Sequence, residues 1–374
     1  CYQMAHDNYP AIKKYNLIEQ SSSFTVENII KGYLPSIKVS TGMDVFTDIV
    51  SLSPQLQSVA GSMKNHIADV NLQVNQTIYD GGTIRARKYI SQAQTDVDKN
   101  KLNVTMYGIK DRINQLFFGI LTIDEQIKQN LILQNDLSLS LETIENMMKG
   151  GLANQTDVDL IKVEQIKAQQ AEKSMRISRH TGLYMLGTFI GQQLGDSTLL
   201  EIPEQKDYPL TRPLNRPELE LYTAQDHLLD ARKESINTLI RPRLSAFGLG
   251  VYHSQVSSLM KDHFFAAGLT LSWNISALYT RKNDLHNIEI QRQEVENNRE
   301  TFLFNTNLQS QDVDGKIRRL QQQIEQDIQI ITLRKKIRNT SIKKVEKGTE
   351  NNNDLVRNVN AVNETQQQKA VNEI

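Results

Sequence analysis

One apolar seam constrains this chain more than any other feature. Ile109, Ile113, Leu116, Ile120, Ile123 and Ile127 are followed by Leu137, Leu141, Ile144 and Met148 in steps of four and three, with Asn130 and Gln134 filling the gap. That spacing is a heptad seam on one long helix, which needs a partner helix along its length. The seam stops at KGGLANQTD, Lys149 to Asp157. There Gly150 and Gly151 can end a helix in the left-handed conformation, and a new apolar period starts at Val158, Ile161 and Ala168. The spacing predicts a long helical hairpin with a glycine tip. Its first arm begins after Gly81 and Gly82 and runs about 66 residues, roughly 100 Å. Its return arm runs from about Asp157 to Leu194.

A second copy lies further along. KKVEKGTENNNDLVRN, Lys343 to Asn358, repeats the glycine, the polar spacer and the Asp, with Gly348 and Asp354 both 197 residues beyond Gly151 and Asp157 (348 − 151 and 354 − 157). NYPAI at Asn8 is echoed by NRPEL at Asn215, and Pro35 by Pro242, both at an offset of 207 (215 − 8 and 242 − 35). Two constant offsets separated by one change of ten (207 − 197) describe an internal duplication with a shortened loop. The chain therefore reads as two repeats, 1–205 and 206–374. Each runs helix, two strands and long helical hairpin, and the Pro-bearing linker Ile202–Pro213 joins them.

The strands alternate in pairs. In the first repeat Ile37, Val39, Thr41, Met43 and Val45 share one face of a segment whose other face is Lys38, Ser40, Gly42 and Asp44. After a polar loop, Thr47 to His66, Val70, Leu72, Val74 and Ile78 face one way and Asn71, Gln73, Asn75 and Thr77 the other. In the second repeat Phe265, Ala267, Leu269, Leu271, Trp273 and Ile275 share a face, after a loop at about Ser254 to Asp262. RLSAFGLGVYH is the exception: its bulk, Phe247, Leu249 and Val251, sits one place out of parity, which implies a bulge or a shifted register.

Composition narrows the function classes. Lys and Arg number 43 against 43 Asp and Glu, so no basic excess points to nucleic acid. A single cysteine, Cys1, excludes an internal disulfide framework, and no Cys/His cluster suggests zinc. No apolar run approaches the roughly 18 residues of a transmembrane helix, so a membrane span would have to be made of strands. No Ser/His/Asp arrangement, phosphate-cradling loop or paired-carboxylate cleft stands out, so no enzyme activity and no cofactor are expected. The seven His residues are scattered and read as solvent-facing polar side chains rather than metal ligands.

Four strands with one apolar side, and no partner sheet to cover them, fit lipid better than water. In lipid, open edges leave N–H and C=O groups unpaired, and single-chain barrels start at about eight strands. Four strands cannot close alone, so several chains would share one barrel with Asn, Gln, Thr and Gly lining a wet lumen. The alternative is a soluble sandwich edge beside a coiled coil.

These residues resemble the TolC family of outer-membrane efflux proteins. The resemblance covers almost the whole chain. It rests on AxxNxP (Ala5, Asn8, Pro10), its echo (Asn215, Pro217), the Leu34-Pro35 pair before the first strand, YDGG at Tyr79 to Gly82, and the tip pairs Gly151-Leu152 and Gly348-Thr349. It implies a mainly α fold with a small β part. Long antiparallel helical hairpins would form an α-barrel through the periplasm, and four strands per chain would join a trimeric twelve-stranded β-barrel in the outer membrane. The implied partners are two further copies in a homotrimer, outer-membrane lipid, a periplasmic adaptor (membrane fusion) protein and, through it, an inner-membrane pump or ABC transporter. The implied function is a passive exit duct for multidrug efflux or type I secretion. The other reading, from a different class, is a periplasmic coiled-coil scaffold without a pore.

The resemblance also assigns residues. Asp157 and Asp354 are read either as helix N-caps or, for Asp354, as a carboxylate ring at the periplasmic entrance. Arg357 stands where an acidic residue is expected and would neutralise that ring, Glu350 stands where a basic gating residue can occur, and Val345 where a Tyr can. Gly151, Leu152, Gly348 and Thr349 are turn formers and adaptor-docking tips. Val70, Leu72, Val74, Leu269, Leu271 and Trp273 are expected to face lipid, with Trp273 either an interface anchor or an ordinary strand contact. Cys1 lies so close to AxxNxP that a trimmed chain is expected over an acylated one, and the last helix, ending at Ile374, reads as shortened.

Overall fold

The computed structural model describes residues 1–45, 66–203, 214–254 and 261–374. The loops expected at Thr47–His66 and Ser254–Asp262 and the linker Ile202–Pro213 lie mostly outside the described residues. The chain opens with α1 (Tyr2–Asn8), a 3-10 turn at Pro10–Ile12 and α2 (Lys13–Ile30). The break falls where Pro10 holds Tyr9 in extended backbone, φ −66° and ψ 128°. Next come β1 (Ser36–Val45), β2 (His66–Tyr79), α3 (Thr83–Lys149) and α4 (Gln155–Ile190). Then α5 (Pro217–Thr238), β3 (Arg243–His253), β4 (His263–Ser272), α6 (Ala277–Glu346) and α7 (Asn352–Glu373) repeat the order of helix, two strands and two helices.

The elements cluster into two compact units: Cys1–Ile12 with Val104–Leu214 and Thr301–Ile374, and Lys13–Asn103 with Asn215–Glu300. In the first unit the heptad seam of α3 is inside. Ile109, Ile113, Ile120, Ile127, Leu137 and Ile144 are buried, and Leu116, Ile123, Leu141 and Met148 are half-buried. Leu133, Leu137 and Ile144 of α3 share one cluster with Val158, Ile161 and Ala168 of α4, Val345 of α6, and Leu355, Val356 and Val359 of α7. Asn8 closes the other end of α4: its Nδ2 donates to the carbonyls of Thr188 (3.1 Å) and Phe189 (3.2 Å), which is the local work of the Asn in AxxNxP.

The two polar residues in the seam are bonded to each other. Gln134 Nε2 donates to Asn130 Oδ1 at 2.8 Å and to Glu172 Oε2 on α4 at 2.7 Å, and Arg176 Nε donates to Glu172 Oε1 at 2.7 Å. Sliding α3 along α4 would bury Asn130 and Gln134 against apolar side chains without partners, so this short chain of bonds sets the register. Arg179, buried on α4, carries a second cross-link that sequence patterning does not mark. It pairs with Asp124 of α3 and donates to the carbonyls of Asp196 and Thr198, both at 2.7 Å, tying down the segment after α4.

In the second unit α3 packs on α5 through Val97, Ala224 and Leu228, and Arg292 of α6 ion-pairs with Asp226 and Asp230 of α5. The sheet is an antiparallel meander in the order β1-β2-β3-β4. Its register brings Ile37 opposite Val74, Val39 opposite Leu72 and Thr41 opposite Val70, so the two apolar faces expected in the first repeat coincide. A bulge between Thr77 and Tyr79, at Ile78, interrupts the pairing of β2 with β3. The parity of β3 has a different explanation from the bulge or slip expected there. Gly248 and Gly250 lie opposite Val74 and Leu72, while Phe247, Leu249 and Val251 lie opposite Asn75, Gln73 and Asn71, so the bulk of β3 belongs to the face that β2 lines with those polar residues. The glycines are matched by neighbouring rings. A Cβ on Gly250 would stand 3.1 Å from the Phe265 ring, and one on Gly268 would stand 2.8 Å from the Phe247 ring on the opposite face.

The hydrogen bond from Gln134, and after it the bond from Arg176, hold the Glu172 carboxyl below the usual carboxylate range. A group more easily ionised in the folded chain stabilises it fully above its unfolded pKa and ceases to do so as pH falls through the lowered folded value. The stability deficit of Glu172→Gln relative to wild type should therefore be largest near neutrality and shrink as pH falls below the ordinary carboxylate range. Thermal melts at stepped pH measure it, and a deficit independent of pH would remove the carboxylate from the register device.

Candidate functional site

The two helical turns are built alike. After α3, the Gly151 N–H donates to Met148 O (3.0 Å) and the Leu152 N–H to Met147 O (2.9 Å), while after α6 the Gly348 N–H donates to Val345 O (2.8 Å) and the Thr349 N–H to Lys344 O (2.9 Å). This bond pair closes a helix around one left-handed residue, here Gly151 at φ 79° and Gly348 at φ 69°. Gly150, paired with Gly151 in the sequence reading, is not left-handed. A Cβ on Gly151 or Gly348 would meet nothing within 4 Å, so the dihedral alone selects glycine, at a cost of about 1–2 kcal/mol for another residue. Leu152, 63% exposed, and Thr349 stand bare beside them.

The next helices start on asparagines at the same offset, Asn154 and Asn351 (351 − 154 = 197). Beyond the caps the two turns diverge. Asp157 completes a capping box: its carboxylate accepts the Asn154 N–H at 3.0 Å, and Asn154 Oδ1 accepts the Asp157 N–H at 3.1 Å. At the second turn Asn351 Oδ1 accepts the Asn353 N–H at 3.0 Å, and Asp354 turns instead to Arg357, whose Nη2 is 2.9 Å away. Glu350 lies 4.0 Å from the Lys344 ammonium, and Val345 is fully buried in the shared core. Two cross-helix contacts nearby went unmarked by sequence patterning. Arg338 of α6 pairs with Asp136 of α3, and Asn360 Nδ2 of α7 donates to Glu164 of α4 at 3.2 Å.

The sheet forms a second candidate surface. Val70, Leu72 and Val74 share a face with Leu269 and Leu271 through the register Val74–Gly248–Ala267, Leu72–Gly250–Phe265 and Ala246–Leu269. Val70, Leu72, Leu269 and Leu271 are exposed, and no residue of β1 is covered. Lys38, Asp44, Asp69 and Arg243 all fall on the opposite face by the same pairing. Trp273 lies one residue past β4 rather than within it, 61% exposed, and its indole N–H donates to Ile240 O at 2.9 Å. Among the described residues no helix is long and apolar enough to cross a membrane, and no group of His, Cys, Asp and Glu is arranged to hold a metal ion.

The chain matches no protein-family model and no curated protein sequence. It does match solved structures over its full length. OprN, an outer-membrane channel, is 12% identical with a TM-score of 0.70, and the match covers 100% of this chain and 85% of OprN. The outer membrane protein VceC of Vibrio cholerae is 12% identical at 0.66, with 100% and 93% covered. CusC, whose structures concern folding and transmembrane channel formation, is 11% identical at 0.72, with 100% and 89% covered. The fold is therefore that of the TolC-type outer-membrane channels, as the residue-level resemblance implies.

The two aspartates should respond differently to truncation. Asp157→Ala removes a capping bond and should lower stability by about 1 kcal/mol. Asp354→Ala breaks an exposed ion pair and should change it by less than about 0.5 kcal/mol. Chemical denaturation of both variants in parallel checks this, and equal losses would mean that Asp354 also caps its helix.

Proposed function

We propose that this chain is one subunit of a homotrimeric exit duct, its sheet in the outer membrane and its helices in the periplasm. It would pass cargo without catalysis for an efflux or type I secretion system. One observation carries the reading: among the described residues, a four-stranded sheet has an uncovered face without Asp, Glu, Lys or Arg, and its outer strands, β1 and β4, have no partner on their outer edges. Lipid on that face and β4-to-β1 pairing between copies would satisfy both, and three copies would make twelve strands. The fold shared with OprN, VceC and CusC supports the same reading.

The two glycine turns are then the docking points for a periplasmic adaptor, which would link the duct to an inner-membrane pump or ABC transporter. Gly151, Leu152, Gly348 and Thr349 would meet it, with small residues allowing close approach. Asp354 of each copy would belong to a carboxylate ring at the entrance, partly neutralised by Arg357. Asp157 would serve its helix, and Glu350 would lie beside the entrance, held by Lys344. Val70, Leu72, Val74, Leu269 and Leu271 would meet lipid, with Trp273 at the interface. The two halves of the chain, 1–205 and 206–374, are the repeats of one duplicated unit.

Expression in membranes separates this reading from a pore-free coiled-coil scaffold. The duct should require detergent for extraction, run as a heat-sensitive trimer and conduct ions in planar bilayers, whereas release without detergent would favour the scaffold. A bulky residue in place of Gly348 should abolish transport with the trimer intact, and loss of the trimer would reduce Gly348 to a turn former. Asp354→Ala should weaken block by divalent cations, and unchanged block and selectivity would dismiss the ring.

A further inference from the structure

Positive charge gathers at the end of the sheet where the helices meet it. Residues 23–35, 79–90, 231–243 and 273–284, within about two turns of that end, hold ten Lys and Arg against four Asp and Glu, in a chain whose totals are equal. α3 opens with Arg85, Arg87 and Lys88 and α6 with Arg281 and Lys282, and neither helix has an acid in its first turn. Positive charge near a helix N-terminus opposes the helix dipole, so helix stability does not account for these five. Three of the four acids are already engaged: Asp80 accepts the Gly82 N–H at 2.9 Å, Glu27 pairs with Lys31, and Glu234 pairs with Arg241.

A cavity of about 230 Å³ at the foot of β3 and β4 collects part of this charge: Arg241 and Arg243 line it with Leu239, Ser272, Trp273 and Asn274. Arg241 is held in place. Gly81 and Gly82 clear space for it, a Cβ on Gly81 standing 3.0 Å from the Arg241 Cβ, and its guanidinium donates to Gly81 O at 3.3 Å and to Glu234 at 2.9 Å. Arg243 is not: among the described residues it has no carboxylate partner, and its Nη2 donates only to Thr83 Oγ1 at 3.3 Å. Register puts Arg243 on the polar face, but Arg243–Ser272 is the last pair of the sheet, and beyond it the cavity brings Arg243 and Trp273 to one space. Trp273 adjoins Leu271, 72% exposed at the rim of the apolar face, and Tyr79 and Tyr279 are exposed at the same end. Aromatic rings and cations bordering an apolar strand face match the headgroup layer of a membrane. We infer that this cavity binds the phosphate of an anionic phospholipid in the periplasmic leaflet. Arg243 supplies the unpaired guanidinium, Trp273 a wall beside the glycerol and first acyl carbons, and the cations that open α3 and α6 favour an acidic leaflet over a zwitterionic one. The inference rests on the duct reading, which sets this end of the sheet at that leaflet.

Trp273 is the one tryptophan of the chain, so its fluorescence reports on this site alone. The test uses the full-length protein in lipid vesicles, with brominated phosphatidylglycerol or brominated phosphatidylcholine as quencher. Phosphatidylglycerol should quench wild type at about fivefold lower mole fraction than phosphatidylcholine. Arg243→Gln should remove most of that preference and Arg243→Lys should keep most of it, with trimer mobility as in wild type for both. Equal quenching by the two lipids in wild type, or a preference that Arg243→Gln leaves unchanged, would overturn the site while leaving the duct standing. Inorganic phosphate that abolishes the preference where sodium chloride of equal ionic strength does not would make this a site for free anions and overturn the lipid assignment. Absence of quenching by either lipid would put Trp273 outside the membrane, and the duct reading would fall with the site.

Discussion

Backbone groups at the rim of a sheet must find partners, and among the described residues those on the outer edges of this sheet have none. β1 and β4 end the meander, and among the described residues the face of Val39, Leu72 and Leu271 has no second layer upon it. In a water-soluble domain one of these problems is usually met by a covering helix and the other by charge or proline along the edge. Here β1 does carry Lys38 and Asp44, but on the opposite face from Val39 and Met43, and those two are exposed, as are Leu269 and Leu271 of β4. In the proposed duct such a sheet would be completed by copies of itself pairing edge to edge and by lipid against its apolar face. That is why the proposed assembly follows from the strands rather than from the helices.

The helices solve a different problem. A seam with a strict heptad repeat can slip by a whole repeat at little loss if every position is apolar. Asn130, Gln134 and Glu172 remove that freedom, because their bonds are satisfied in one register only. Arg179 with Asp124, and Arg338 with Asp136, act on α3 from α4 and α6 in the same sense. Long paired helices need such pins more than a compact core does, since no single packed centre selects one alignment.

Much of this was legible in the residues. The seam from Ile109 to Met148, the glycine turns and the strands at Val39, Leu72, Leu249 and Leu271 all follow local periodicity or turn chemistry, and each appears where the spacing puts it. Cross-chain geometry was not legible. The partners of Arg179 lie 55 residues back and 17 to 19 residues ahead, and no period links them. The odd parity of β3 could be seen but not interpreted, because its meaning depends on which ring covers which glycine across a strand pair. Trp273 matched the alternation of β4 yet falls just beyond it, where its indole N–H bonds the Ile240 carbonyl instead of continuing the ladder.

The paired turns show how equivalent sequence positions can part in use. Both close by the same two hydrogen bonds around a left-handed glycine, and both restart on asparagine. Four residues past each asparagine's predecessor the likeness ends: Asp157 is held by backbone donors, and Asp354 by a side-chain cation on the next turn of its own helix. A carboxylate fixed by backbone N–H groups cannot be withdrawn without fraying its helix, whereas one paired with an exposed arginine can exchange that partner for water or a passing ion at small cost. The second turn is therefore the one whose acid is chemically available, which is the property an entrance residue needs and a cap residue lacks.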